Sequence, residues 1–318
     1  MSTKAEALIT RIAVPASLLV ATAYIFQRLV KWRGYNSKRN QAAKEVWSNL
    51  TPVERTAVGV CLYRCNMLST LKSINKYWNP EFDQALVSHC MPLEEQAKGY
   101  GGRGGWGNSM MAVRTSEIDF QAMETVMGCS EIRQVVILGA GLDPRAWRLA
   151  WPEGTRVFEV DTGSVEKVKS KVLVPMKMGA SSRAFVPADL SKALQPGDSL
   201  ADKLAVAGFD SREQCLWIAE GLIGYMTAEE GGNLIKAMYQ ACAPGSKMVM
   251  TCPPTVKHKE ESIAAGHPLL HTTYEEGEDL LKRVQAQGWQ AHLNTGEALG
   301  KKFGFDKFHQ GQVVGKKV

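Results

Sequence analysis

"VVILGAGLDPRAWRL", residues 135–149, runs from an apolar stretch through two glycines into residues suited to begin a helix. Strand, tight turn and helix in that order is how a parallel sheet offers a backbone cradle to a nucleotide-like ligand. Gly139 and Gly141 carry no Cβ, so the chain can turn sharply there and a ligand can approach the backbone. Where a dinucleotide site has its third glycine, this chain has Pro144. The flanking sequence must therefore decide the ligand.

Downstream, short β-rich runs fall at 134–139, 155–160, 183–187, 215–219 and 246–252, most of them separated by helical patterns such as 164–174 and 228–242. Strands that alternate with helices imply an α/β domain, a parallel sheet with helices on both faces. After a helical pattern at 276–287, "GWQAHLNTG" (288–296) and "FDKFHQGQVVGKK" (305–317) read as two more strands, an antiparallel hairpin at the sheet's edge. Upstream, residues 46–95 read as helical, with apolar residues three and four apart through "ERTAVGVCLYRCNMLSTL" (54–71). "MMAVRTSEIDFQAMETVM" (110–127) continues the pattern. Between them "GYGGRGGWGNS" (99–109) reads as a mobile loop. Its single Arg-Gly-Gly is no RNA-binding repeat, and no nucleic-acid partner is expected.

Asp161 ends the second run, twenty residues after Gly141. A carboxylate there can accept hydrogen bonds from both hydroxyls of a ribose. NAD and S-adenosylmethionine (SAM) both use such an acid. A dinucleotide also needs a helix N-terminus free for its pyrophosphate. Here Asp143 reads as the N-cap and Pro144 as the first helical residue, so a carboxylate would meet the phosphates. SAM has no phosphate and tolerates it. Asp189 in "VPADL" (186–190) ends the third run, where it can accept from an adenine amino group. Glu220 in "WIAEGLIGYM" (217–226) ends the fourth, towards the methionine end of the ligand. Each acid alone also reads as a cap or a solvated loop residue. Their placement at successive strand ends favours a pocket.

The chain has 318 residues, 45% hydrophobic and 22% charged, with a net charge of +6. The basic excess is concentrated near the N-terminus, where seven lysines and arginines up to Arg39 face only Glu6. Seven scattered cysteines without a C-x-x-C suit free thiols rather than disulfides or structural zinc. No metal is expected; His267 and His271 in "HPLLH" stand four apart without a carboxylate beside them. Residues 12–26, "IAVPASLLVATAYIF", are uncharged, and Leu29 and Val30 extend the run if Arg28 snorkels. The 12–30 segment reads as a membrane anchor, as an organelle transit peptide, or as an ordinary helix of the fold. As an anchor, the greater basic charge on its C-terminal side places the body in the cytosol. Otherwise the protein is expected in an organelle after cleavage, or in the cytoplasm.

The sequence resembles the leucine carboxyl methyltransferase family, in particular its SAM-dependent branch. The matching stretches are "MAVRTSEID" (111–119), "IRQVVILGAGLDPRAWRLAWPEGTRVFEVD" (132–161), "VPADL", "AGFD" (207–210) and "AEGLIGYM" (219–226). "LTPVERTAVGVCLYRC" (50–65) and "NPEFDQALV" (79–87) resemble the family's helical layer more loosely. The resemblance implies a class I SAM-dependent methyltransferase fold, Rossmann-like, with seven strands, a reversed last hairpin and a helical N-terminal lid. Residues 1–45 would then be an extension and 46–318 the methyltransferase domain. It implies that Arg114 pairs with the methionine carboxylate, a pairing that suits a planar guanidinium. Gly139 and Gly141 would lie under the cofactor, Asp161 on the ribose, Asp189 and Leu190 at adenine, and Glu220 near the methionine amino group. Gly163 stands where many members have proline, and the glycine-rich stretch beside Arg114 is a local elaboration.

Methyl transfer needs an oxygen held in line with the methyl and water kept out. A carboxylate acceptor is already ionised at neutral pH and needs no base, whereas an alcohol needs one. None of the six histidines falls at a recognisable pocket position, which favours a carboxylate or an acidic hydroxyl of a small molecule. Glu220 and Tyr225 are candidates for the acceptor side, and Tyr225 reads equally as a packed tyrosine. The competing readings are methylation of a protein's C-terminal leucine carboxylate, a non-catalytic nucleotide-binding or membrane scaffold protein, and an NAD-dependent oxidoreductase. The oligomeric state has no signature in the sequence.

Overall fold

In a computed structural model that describes residues 36–98, 105–253, 277–306 and 308–318, the alternating runs join one seven-stranded sheet. Its strands are β1 (Gln134–Leu138), β2 (Arg156–Asp161), β3 (Ser182–Pro187), β4 (Cys215–Ala219), β5 (Lys247–Thr251), β6 (Trp289–Asn294) and β7 (Gln312–Lys317). Their order is β3-β2-β1-β4-β5-β7-β6. The first five are parallel, while β7 is antiparallel to both β5 and β6. Of the expected reversed hairpin, then, only β7 is reversed. It lies inside the sheet, and β6 beyond it runs with the other five.

Every residue of β1 and β4 is buried, as befits strands covered on both faces. Alternate residues serve two cores. Val135, Ile137, Val157, Leu216, Ile218 and Val249 face one, and Val136, Leu138, Phe158, Trp217, Met248 and Val313 face the other.

The helices are α1 (36–49), α2 (Pro52–Asn66), α3 (Leu68–Ile74), α4 (Pro80–Cys90), α5 (Leu93–Lys98), α6 (Gly105–Gly128), α7 (Arg145–Arg148), α8 (Glu166–Leu173), α9 (Leu200–Val206), α10 (Ala228–Gln240), α11 (Gly277–Ala286) and α12 (Gly296–Phe303). Residues of α2, α4, α6 and α8 build the first core, and those of α9, α10 and α11 the second. Thr51 and Glu54 form a reciprocal capping box with Pro52 in the first turn, which fixes where α2 begins. Ala43 of α1 is buried, and Val46 and Trp47 pack on the first core.

Two expectations change. The glycine-rich stretch is not loop throughout, because α6 starts at Gly105 and residues 105–109 are helical. The helix after the glycine turn is one turn long, with Pro144, not Asp143, at the N-cap position. Pro144 therefore precedes the helix rather than starting it. Asp143 Oδ1 still accepts the Arg145 N–H at 2.8 Å, so the acid caps the turn from one residue further out.

Among the described residues no helix is long and apolar enough to cross a membrane. The 12–30 segment and the His267/His271 pair lie outside the described residues.

Candidate active site

β1 ends at the glycine turn. Gly139 has φ +61° and Gly141 φ +40°, left-handed values that side chains disfavour. The turn is fastened to β2 twice. The Ala140 N–H donates to Val160 O at 3.1 Å, and the Gly141 N–H donates to Asp161 Oδ2 at 2.6 Å. Asp161 Oδ1 accepts the Thr162 N–H at 2.6 Å. The same Oδ1 also accepts the Thr162 hydroxyl at 3.2 Å, while Oδ2 keeps a second lone pair for another donor. α2 passes over the turn, with Ala57 Cβ 3.5 Å from where a Cβ on Gly141 would stand and Cys61 Sγ 3.9 Å from Leu142 O. Leu222 Cδ1 lies 2.9 Å from where a Cβ on Gly139 would stand.

Glu220 lies just past β4. Gly221 follows it with φ +64°, and the Gly221 N–H donates to Thr251 Oγ1 of β5 at 2.7 Å, so the chain leaves the strand in a fixed direction. Glu220 Oε1 accepts from Arg114 Nε at 2.7 Å, and Oε2 accepts from Arg145 Nη1 at 2.6 Å. Arg114 is delivered by the buried middle of α6, where Met111, Ala112, Val113 and Ile118 are all inside. Its terminal nitrogens lie 3.6 and 3.7 Å from where a Cβ on Gly221 would stand.

The sequence reading missed the hub of this site. Arg145 bonds Asp119 Oδ1 through Nε at 2.8 Å and Asp143 Oδ2 through Nη1 at 2.5 Å, besides Glu220. Arg148 takes both oxygens of Asp119 at 2.6 and 2.8 Å, and Asn75 donates to the same carboxylate at 2.7 Å. Close by, Arg64 pairs with Asp83. Four arginines thus face four carboxylates. Burial alone would raise the Glu220 pKa, but Arg145, Arg114 and Arg64 hold it well below the ordinary carboxylate range. Burial acts on Asp119 in the same sense and is outweighed by Arg148 and Arg145. Burial disfavours the Arg145 charge, yet Asp143, Glu220 and Asp119 push its pKa well above normal. The Asp143 carboxylate is turned onto Arg145, so it is a neutralised group rather than the bare repeller of phosphate inferred from sequence. The only local trace of the hub was the pair of arginines in "PRAWR", whose partners are remote in sequence.

Asp189 follows β3, and the Ala188 N–H before it donates to Asp161 O at 3.0 Å, which puts the two acids on adjoining strands. Its half-exposed carboxylate accepts the Ser191 N–H at 3.1 Å and the Ser191 hydroxyl at 2.7 Å. Those bonds, chiefly the hydroxyl, lower its pKa. Leu190 beside it is buried. Tyr225 is half-buried and closes the short turn Ile223–Tyr225 after Glu220. Gly139, Gly141, Asp161 and Glu220 thus meet at the carboxyl ends of β1, β2 and β4, with Arg114 from the helical layer. Asp189 and Leu190 stand on the flank.

The donor set fits SAM. Two carboxylates bracket a turn whose Gly139 and Gly141 carry no Cβ, suiting ribose hydroxyls on one side and a cation on the other. Among the described residues Arg145 Nη2 is a buried donor with no acceptor, and such a donor is costly until an acceptor reaches it. Among the described residues no group of three or more His, Cys, Asp or Glu side chains gathers as a metal site.

A family model for leucine carboxyl methyltransferase matches residues 79–239. A Parafrankia protein named "Putative S-adenosyl-L-methionine-dependent methyltransferase" is 40% identical over 144 residues, 45% of this chain and 44% of its own length. A protein so named from Frankia alni is 37% identical over 188 residues, 58% of this chain and 63% of its own length. One from Mycolicibacterium smegmatis is 34% identical over 213 residues, 64% and 68% of the two chains. The chain spans about half the length of the first of these curated relatives and under two thirds of the second. A crystal structure titled as a "putative methyltransferase" from Thermobifida fusca superposes with a TM-score of 0.51 at 15% identity, covering 74% of this chain and 92% of that one. The strand order and this likeness make the fold that of the class I methyltransferases.

Proposed function

The chain belongs to the leucine carboxyl methyltransferase family, and from that premise we propose that it is a SAM-dependent O-methyltransferase acting on a carboxylate or acidic hydroxyl of a small molecule. The observation that carries this is the Glu220 carboxylate, gripped at both oxygens by Arg114 and Arg145 across from the Asp161-braced glycine turn. Bound SAM would supply an electrophilic methyl on a sulfonium. Asp161 would hold the ribose, Asp189 and Leu190 the adenine, Glu220 the ammonium group, and the terminal nitrogens of Arg114 the methionine carboxylate. Because three arginines keep Glu220 ionised, it is a poor proton acceptor at neutral pH. It serves charge recognition rather than base catalysis. The acceptor oxygen must then arrive ionised, which favours a carboxylate. Tyr225 would line the acceptor side. The packed helices over the turn would exclude water.

Calorimetry with SAM and with NAD tests the cofactor, and only SAM should bind. Transfer of labelled methyl from SAM into a metabolite extract tests the acceptor. A methyl ester releases its label as methanol in mild alkali, while an ether does not. Alkali-stable label would overturn the carboxylate reading, and label confined to protein C-termini would turn it towards protein carboxyl methylation. SAM binding with no transfer to any fraction would favour a non-catalytic role.

The uncharged run at 12–26 with flanking basic residues supports a membrane tether with the catalytic body on the cytosolic side. Carbonate extraction of the full chain checks it, and release into the soluble fraction would remove the tether.

A further inference from the structure

Asp161, Gly139 and Glu220 belong to one row along the carboxyl edge of the sheet, and the row does not stop at Glu220. Counting in steps of two from Val157, Ile137 and Ile218, which face the first core, reaches these three residues. Over the next two strands the same count leads from Val249 to Thr251, the last residue of β5, and from Val314 back to Gln312, the first of β7. Ala219 pairs with Met250, so Glu220 is level with Thr251, and Thr251 is directly opposite Gln312. Gln312 therefore shares a face with Glu220 at two strand spacings, about 10 Å. It stands on the far side of Glu220 from Asp161.

Gln312 is 1% exposed, and neither its Oε1 nor its Nε2 has a hydrogen-bond partner. Gln310, two residues earlier, is 8% exposed. Its Nε2 donates to Cys252 O at 2.9 Å, which leaves Oε1 as the free end of the amide, and that oxygen has no partner. The Cys252 N–H donates to Gly311 O at 2.9 Å, so the ladder runs on past Gln312 and keeps both amides on one face. Three buried polar atoms are thus uncommitted at the end of the row. Each is a standing cost to the fold that a ligand removes by completing the bond. None belongs to a residue assigned to SAM.

We infer that Gln312 and Gln310 select the methyl acceptor, which carries an uncharged hydroxyl or amide besides the carboxylate that is methylated. The inference rests on the reading of the site as a small-molecule O-methyltransferase. Gln310 Oε1 can only accept, so the acceptor must bring an O–H or N–H to it. The Gln312 amide is bound by nothing and can turn its donor or its oxygen to the same group. A second carboxylate would face the Gln310 oxygen with no hydrogen to give, and an ammonium group would find no counter-charge in either amide. An acid without a donor would leave the amides unpaired, and sites built to bond a substrate hydroxyl or N–H reject such analogues strongly. Burial suits the task, because water must be kept from the reacting oxygen.

The test compares the wild-type full chain with Gln312→Met, which keeps the reach of the side chain and removes its polar atoms. Wild type transfers labelled methyl from SAM into a metabolite extract, and the labelled product is purified and its structure read by NMR. It should be a methyl ester that also carries a hydroxyl or an amide N–H. With the parent acid of that ester as substrate, Gln312→Met should raise KM at least tenfold, with a smaller change in kcat. The variant should keep its SAM affinity by calorimetry. Without ligand it should melt no lower than wild type, since two unpaired buried atoms have gone. A product with neither donor, an unchanged KM, or a variant that melts below wild type would each overturn the inference and leave methyl transfer standing. No transfer by wild type, or label confined to protein, would overturn the small-molecule reading and this inference with it.

Discussion

Glu220 and Asp161 do opposite work with the same functional group. The Glu220 side chain is 9% exposed and fixed by guanidinium groups at both oxygens; Asp161 is half-buried and fixed chiefly by backbone N–H groups. Removing either end of the cradle should be felt in binding. Asp161→Ala and Arg114→Ala should each weaken SAM at least tenfold by titration calorimetry, roughly 1.4 kcal/mol or more, and wild-type affinity would refute the assignment. The acids also set an acid limit on stability. Glu220 and Asp119 have folded pKa values below their unfolded ones. Their stabilisation is therefore complete above the ordinary carboxylate range, about 4, and is lost as the pH falls below it. Urea midpoints should show Glu220→Gln well below wild type at pH 7, with the gap narrowing below pH 4. A gap independent of pH would contradict the ionised pair. The acids and glycines of this site were legible because turn chemistry and strand ends are local in sequence. Arg145 was not, since Asp119 and Glu220 lie 26 and 75 residues from it. Nothing local says that an arginine in an apolar context will be neutralised.

At the scale of the elements, the central strands declared themselves as apolar runs because both faces are covered. The reading of 215–219 coincides with β4, and those of β1, β2, β3 and β5 differ only at their ends. The helix expected after the glycine turn is α7, but its shortness was not legible because a one-turn helix has no period to detect. Its short length has a structural partner, since the chain before β3 crosses directly behind it. The Ala180 N–H donates to Ala146 O at 2.9 Å, and a Cβ on Gly179 would stand 1.9 Å from Leu149 O. Backbone cannot yield there as a side-chain tip can. Gly179→Ala should lower the melting temperature by several degrees, the loss of about 1–3 kcal/mol typical of overpacking. Because α7 carries Arg145, the variant should also weaken SAM. An unchanged melt would show that the backbone yields at this crossing.

For the molecule as a whole, the sheet separates two cores, and the proposed cofactor cradle spans the seam between β1, β2 and β4. Ligand there ties several elements together, so SAM at one hundred times its dissociation constant should stabilise the fold by about 2.7 kcal/mol. Differential scanning calorimetry reads this as a rise in melting temperature that NAD does not reproduce, and an equal rise with NAD would refute the choice of cofactor. The overall α/β plan could be read from alternating strand and helix patterns, but the reversal of β7 alone could not, because an edge hairpin and an inserted strand share one local pattern. That insertion bears on biosynthesis. A nascent chain has β5 as an open border, and β6 has nothing to join, until residues 312–317 emerge. At about 5–20 residues per second the interval after β6 is made is on the order of a second or more. It is then that the growing polypeptide is most open to wrong pairing with a neighbour, and a chaperone shielding one bare border would guard two strands at once.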